Sequence, residues 1–360
     1  MPQNKLSETD PMAEWEKILE EYSAIIEARV SRFLDGNLRG AYGYHPYIGD
    51  LYRILSEYIL RRGKRLASSS TLLTYKGYHG DVDENILDVC VGIELYRHSI
   101  LVHDDLADDD EKRRGEATIH RKYGQEHGLR FGVGVGVFAG NLLYSLALKA
   151  IGDSCFNLEK KAQTLQRLND AFKEVNESQI LDLLFEHEMP DVAEWYIMAS
   201  RRAASLFKAS ILIGAILAEA PHRDLEILEE AAEHIGYCFD IQDDIIDTFA
   251  SEHEYGRKPG GDLTRDKKPL HMVYTYMKAT QPQIDFIRET VQKNILTQED
   301  LDRIREIVRE CGALKEAATR SMCHADSAKN LISSTEMNIE VKEFFSSFID
   351  YIKESLNWYK

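Results

Sequence analysis

Residues 15–33 read Trp15-Glu16-Lys17-Ile18-Leu19-Glu20-Glu21-Tyr22-Ser23-Ala24-Ile25-Ile26-Glu27-Ala28-Arg29-Val30-Ser31-Arg32-Phe33. The large apolar side chains Trp15, Ile18, Leu19, Tyr22, Ile25, Ile26, Val30 and Phe33 recur every three or four positions, the spacing that lines one face of an α-helix. Leu225, Leu228, Ala232, Ile235 and Phe239 repeat the pattern far downstream. No proline lies between Pro46 and Pro190, so nothing there forbids long helices. Strand signals are rare: Val133, Val135 and Val137 alternate with glycine, but no turn chemistry flanks them. The sequence predicts an all-α fold of about a dozen helices.

Turn residues mark the breaks. Gly36–Asp50 and Tyr78–Asp83 read as loops, Pro190-Asp191 and Ala220-Pro221 punctuate later helices, and Ser251–Pro269 is a polar segment containing Gly256, Pro259, Gly260 and Gly261. No low-complexity linker or short repeat divides the chain, so residues 1–360 are expected to form a single domain with a loose start at 1–13. The 44 Lys+Arg against 61 Asp+Glu give a net charge of −17. That balance weighs against nucleic acid and anionic membranes as partners, and any anionic substrate must be met by local cations or metal ions. Five scattered cysteines without a CxxC pair point to a reducing, cytoplasmic setting with neither a disulfide frame nor a cysteine zinc site. Residues 1–15 carry no secretory pattern. The uncharged run Phe131–Leu148 has the length of a membrane span, but its glycines, Asn141 and Ser145 dilute it. It reads as a buried core helix, and no stable membrane insertion is expected.

Two aspartate-rich stretches carry the chemistry. The first is His103-Asp104-Asp105-Leu106-Ala107-Asp108-Asp109-Asp110-Glu111-Lys112-Arg113-Arg114-Gly115, in which Asp104 and Asp108 lie one helical turn apart on one face. An acidic run alone fits a solvated helix end equally well. Here the apolar approach Ser99-Ile100-Leu101-Val102 suggests a buried helix that delivers carboxylates at its end. The second stretch is Phe239-Asp240-Ile241-Gln242-Asp243-Asp244-Ile245-Ile246-Asp247, with Asp243 and Asp247 at the same spacing between apolar flanks, where a solvated face does not fit. Crowded carboxylates need counter-ions, and hard oxygen donors suit Mg²⁺ shared with substrate phosphates. Two weaker patterns are set aside. Gly134–Ala139 matches GxGxxA without a βαβ setting. His98, His103, His120 and His127 lack the spacing of a zinc pair, and His103 is expected to pack behind the first stretch.

Taken in order, Gly63-Lys64-Arg65, the first stretch with Arg113-Arg114-Gly115, Gln179 with Asp182, the second stretch, and Gly256–Lys267 with Asp262 resemble the trans-isoprenyl diphosphate synthases, the polyprenyl synthetase family, from about Leu51 to about Leu270. The resemblance implies the isoprenoid synthase fold, a single helical bundle around a deep central cavity, usually homodimeric. It implies head-to-tail condensation of isopentenyl diphosphate with an allylic diphosphate, which ionises to an allylic cation in a dry cavity. It implies about three Mg²⁺ ions, replaceable by Mn²⁺, held by Asp104, Asp105 and Asp108 on one side and Asp243 and Asp244 on the other, with Asp247 fixing the second set's geometry. Arg113, Arg202, Lys258 and Lys267 would complete the neutralisation. Lys64, Arg65 and Arg114 would hold isopentenyl diphosphate, although alone the Arg61–Arg65 run would pass for a surface basic patch. Gln179, Asp240 and Arg257 occupy further substrate-binding positions.

The chain also departs from the family pattern. Ala67 stands where an arginine is usual, Arg97 replaces His or Gln, Asp240 replaces Gln, Arg202-Ala203 replaces Lys-Thr, and Arg257 replaces Lys. Arg97 or Arg62 would restore the charge missing at Ala67. Three readings follow: an elongating synthase; a terpene cyclase-like or irregular-linkage enzyme on the same fold, favoured by the altered pocket; and a non-catalytic regulatory partner subunit, disfavoured by the intact aspartates. For product length, Ile100, Ser99 and Tyr96 lie four, five and eight residues before Asp104. Small Ser99 would let the growing tail pass and Ile100 would narrow its path. Tyr96, about 12 Å down the helix axis, would form a floor at about twenty carbons, with twenty-five next, unless it faces a neighbouring helix and sets nothing.

Overall fold

The computed structural model describes residues 11–61, 63–251, 259–293 and 296–354. Among these the chain forms sixteen helices, twelve of them eleven residues or longer. The expected loop at 36–50 is helical instead. Helix α1 (Pro11–Tyr44) runs into α2 (Pro46–Leu60) with His45 alone between them. Gly36, Gly40 and Gly43 weaken a helix but do not break it, whereas Pro46 suits only a first turn, and the His45 ring accepts the Tyr47 N–H as its cap. Then come α3 (Leu66–His79), α4 (Glu84–Ala107), α5 (Ile119–His127), α6 (Leu129–Asp153), α7 (Leu158–Phe185), α8 (Val192–Ala199), α9 (Ala203–Leu217) and α10 (His222–Phe249). The chain closes with α11 (Gly261–Thr264), α12 (Leu270–Lys278), α13 (Gln281–Val291), α14 (Gln298–Glu310), α15 (Ala313–Ser333) and α16 (Ile339–Glu354). The expected breaks at 78–83 and 220–221 hold: Asp83 caps α4 by accepting the Asn85 and Ile86 N–H groups, and Pro221 precedes α10. Of the 251–269 segment, residues 252–258 lie outside the described residues and Gly261–Thr264 is helical. The sheet content of the described residues is one ribbon, β1 (Lys112–Arg113) against β2 (Glu116–Ala117).

Helix α4 packs along α6, α3 against α9, and α10 against both α9 and α15. The opening stripe is narrower than its spacing suggested: Trp15, Leu19, Ile26 and Val30 are buried, but Ile25 faces outward. Trp15 meets Phe344, Phe348 and Tyr351 of α16, so the first and last helices close on one another.

Helix α6 is not the buried core helix its composition suggested. One face packs closely on α4 and α5: a Cβ at Gly140 would strike the His103 ring, and one at Gly132 the His120 carbonyl. The other face leaves Phe131, Val133, Val137 and Phe138 exposed, Phe138 by 73%. Among the described residues α6 is the one helix long and apolar enough to cross a membrane. Glycines bring only one side of it close to its neighbours, and that is why burial is one-sided.

Candidate active site

The first aspartate stretch ends α4. Beyond it Arg114 and Gly115, at φ 54° and 82°, make the tight turn of the β1–β2 ribbon. The ribbon folds Arg113 back over the helix end, where it donates to Asp104 (3.0 Å) and to Asp105. Tyr58 of α2 donates to the other Asp105 oxygen (2.6 Å). Asp105 is thereby 1% exposed with both oxygens engaged. Grouped by sequence with the metal-facing carboxylates, it is turned into the protein instead, because it lies off the face that Asp104 and Asp108 share.

The second stretch lies near the end of α10. Arg202, just before α9, donates to Asp240 (3.0 Å) and Asp244 (3.0 Å). Asp247 accepts the Asp262 N–H (3.1 Å) on its side chain and the Gly260 N–H (2.8 Å) on its carbonyl, tying α11 to α10. Asp243 is half-buried. Lys267 joins the two stretches: its Nζ lies 2.9 Å from Asp108 and 2.9 Å from Asp182 of α7, and Asp182 lies 3.7 Å from Arg202. Arg265 reaches Asp110 at 2.5 Å. A continuous line of opposite charges, Asp108, Lys267, Asp182, Arg202, Asp244, thus crosses from α4 to α10.

Burial and like charge set the protonation balance. Burial and then Asp104 push Asp108 up to about 7. Burial raises Asp240 to about 6 against the pull of Arg202, and lifts Asp244 well above the usual carboxylate range. Asp182 is the exception: burial would raise it, but Lys267 and Arg202 outweigh burial and hold it low. Lys267 itself is raised by its aspartates despite burial. The donor set suits a hard divalent cation. Its atoms are all carboxylate oxygens; the buried Asp108 Oδ1 has the Lys267 ammonium 2.9 Å away as its counter-charge, which an incoming cation would share or displace. Among the described residues no three acidic side chains already converge on one point; lysine and arginine stand between them.

The remaining expected residues divide. Lys64 pairs with Glu16 (3.3 Å) over the Tyr351 ring, and Arg65, 2% exposed, is held by Glu94 and Glu27 at 2.9 Å. Neither reaches the aspartates, because acidic partners on α1 and α4 claim their charges. Arg114 lies over Gly63 and donates to the Arg61 carbonyl (3.0 Å); desolvation and the charge of Arg97 push it down to about 10. Gln179, one turn before Asp182, has a buried Nε2 without a hydrogen-bond partner. Arg62, Arg257 and Lys258 lie outside the described residues. Tyr96 is fully buried against Tyr144 and Phe172, whose rings stack at 3.9 Å. Ser99 is buried and Ile100 half-buried beside it. His103 packs behind the first stretch, against Gly140 and 6.3 Å from Phe172. Sequence reasoning missed Tyr58, Arg265 and Phe172, and gave Asp182 no role. Asp182 and Arg265 sat inside quoted motifs; Tyr58 and Phe172 look like ordinary core residues.

The profile of the family described as Polyprenyl synthetase matches residues 50–309. A short chain isoprenyl diphosphate synthase of Methanocaldococcus jannaschii is 29% identical over 72% of this chain and 76% of its own. A geranylfarnesyl diphosphate synthase of Aeropyrum pernix is 30% identical over 81% of this chain and 90% of its own. Among solved structures, a geranylgeranyl pyrophosphate synthase of Corynebacterium glutamicum, in complex with isoprenyl diphosphate and magnesium, shares the all-α fold. Its TM-score is 0.88 over 93% of this chain and 99% of its own, at 23% identity. With its motifs in order and its fold and length matched, the chain belongs to the polyprenyl synthetase family.

Proposed function

We propose that the chain is a Mg²⁺-dependent prenyltransferase that joins isopentenyl diphosphate head to tail to an allylic diphosphate. The observation that carries this is the charge bridge through Lys267, Asp182 and Arg202, which holds both aspartate stretches around one place. Mg²⁺ held by Asp104, Asp108 and Asp243, in about three ions with Mn²⁺ as a substitute, would supply charge neutralisation to the departing diphosphate. Lys267, Arg202 and Arg113 add positive charge from fixed positions. Asp105, Asp240, Asp244 and Asp247 hold those cations and the α10–α11 junction in place. Gln179 presents its amide to the same space.

With Lys64 and Arg65 paired to Glu16, Glu27 and Glu94, the second diphosphate is assigned to Arg114 and its neighbour Arg97. Their crowding raises the free energy of the free protein and favours an anion among them. Alanine at 67, together with the pairing of Lys64 and Arg65 to acidic neighbours, favours the second reading, an enzyme that ionises one allylic diphosphate without consuming isopentenyl diphosphate. Tyr96, Tyr144 and Phe172 close the path behind the first aspartates, so the product is of medium length, nearer twenty than twenty-five carbons. The open apolar face of α6 is covered by a second copy in a homodimer, and the exposed Ile180 of α7 and Ile197 of α8 are further apolar candidates for that interface. The free state of all five cysteines accords with a cytoplasmic setting. The test is mass spectrometry of products from purified protein, Mg²⁺, isotopically labelled isopentenyl diphosphate and a panel of allylic diphosphates. Labelled, elongated all-trans diphosphate is expected. An allylic diphosphate consumed into unlabelled product would establish the second reading, and no turnover of any substrate would leave the regulatory subunit.

A further inference from the structure

Away from the aspartates, α10 and α15 meet through two histidines. His234 Nδ1 and His324 Nδ1 face each other at 2.8 Å, both rings half-buried. Such a pair is held by one proton, with one nitrogen donating and the other offering its lone pair. Nε2 of His324 lies 3.0 Å from the Tyr196 hydroxyl oxygen on α8. The tyrosine oxygen can accept from Nε2–H, and in that tautomer Nδ1 is the lone-pair nitrogen, the form a metal would select. Burial keeps both rings neutral; His324 is pushed down to about 4. Glu230 lies one turn before His234 on α10, and it lines, with Glu226, Glu229 and Glu233, the cleft on which His234 opens. Glu233 is already engaged by Tyr237 (2.7 Å) and Lys208 (3.5 Å).

We propose that His234 and His324, with Glu230 swinging in as third ligand, form a binding site for a borderline transition-metal ion of the Zn²⁺ class, separate from the Mg²⁺ site. Two imidazoles on one tetrahedral ion with Zn–N near 2.0–2.1 Å need their nitrogens about 3.3 Å apart, so the rings part by about 0.5 Å. The proton between them moves to His234 Nε2, and binding releases no net proton. Among the described residues no three such donors already stand together, so the third ligand arrives with the metal. Nitrogen donors select against Mg²⁺, which prefers oxygen, so the two sites sort the ions by chemistry. Occupied, the site pins α10, which carries Asp243 of the second aspartate stretch nine residues on, to α15.

The test is a Co²⁺ titration of the full chain, free of any affinity tag, in excess Mg²⁺, followed by the visible absorption of Co²⁺ and by melting temperature. One equivalent of coloured Co²⁺, displaced by Zn²⁺ and raising the melting temperature, is expected. It should be lost in His234→Ala and in His324→Gln and retained in Asp104→Asn. His324→Gln keeps a polar group for Tyr196, and circular dichroism confirms that each variant folds. Absence of the coloured species in the wild type would reduce the pair to an ordinary N–H···N hydrogen bond. Its persistence in both histidine variants, or its loss in Asp104→Asn, would place the ion elsewhere. Any of these outcomes overturns the proposal.

Discussion

Tyr58 and Arg113 each take one oxygen of Asp105, so this aspartate serves by fixing the end of α4 and the angle of Arg113. Removing the Tyr58 hydroxyl takes away a hydrogen bond to a charged acceptor, about 1.5–3 kcal/mol in such settings. Tyr58→Phe is expected to lower kcat about tenfold and leave KM for the allylic diphosphate nearly unchanged; a role confined to packing would lower the melting temperature and leave kcat intact. In the apolar path, Tyr96→Ala and Phe172→Ala should lengthen the product and Ser99→Phe should shorten it, as read by mass spectrometry of the prenyl chain. Unchanged lengths in all three would put the floor elsewhere. Asp104 with Asp108, and Asp243 with Asp247, stand out in the sequence because carboxylates one turn apart between apolar flanks have few structural explanations. Tyr58 does not, since a tyrosine on an apolar helix face reads as core until its partner 47 residues away is seen. Nor is the pairing of Arg65, inside the Gly63-Lys64-Arg65 motif, with Glu94 of another helix visible in the sequence.

At the scale of elements, α4 is anchored by a buried ionic knot. Glu94 accepts from Arg65 (2.9 Å) and Ser68 (2.6 Å), with His98 one turn on. Burial alone would raise Glu94; Arg65 and the neighbouring cations outweigh it and hold it at about 2. Its folded value is below its unfolded one, so its contribution to stability is complete above pH ~4.5 and is lost as pH falls from there toward 2. Glu94→Gln should cost about 3–5 kcal/mol at pH 7, because it leaves Arg65 buried with one exposed partner, Glu27. In urea titrations the gap between wild type and variant should narrow below pH ~4.5. A gap independent of pH would show that the carboxylate charge is not what holds α4. The helices themselves were readable from apolar spacing. Their boundaries were less so: three glycines before Pro46 suggested a loop, but helix packing absorbs glycine's modest cost, and proline alone made the break.

At the scale of the molecule, the sequence carried the fold class because two opposed aspartate helices and long proline-free stretches admit few architectures. It could not reveal that α6 is apolar on an outward face, since an uncharged run reads the same in a core and at an interface. If that face joins two copies, the double variant Phe138→Glu/Ile180→Glu should shift sedimentation from dimer to monomer, and a wild-type monomer would exclude the assembly. The central claim is that the two aspartate stretches work as one metal-dependent clamp on diphosphate. Its most direct test is turnover with isopentenyl and allylic diphosphates in excess chelator, then with Mg²⁺ restored, for wild type, Asp104→Asn and Asp243→Asn, with folding checked by melting temperature. The account predicts that wild-type turnover vanishes with chelator and returns with Mg²⁺, and that each folded variant loses about 10²–10³-fold. Wild-type turnover unchanged in chelator, or either variant as active as the wild type, would contradict it.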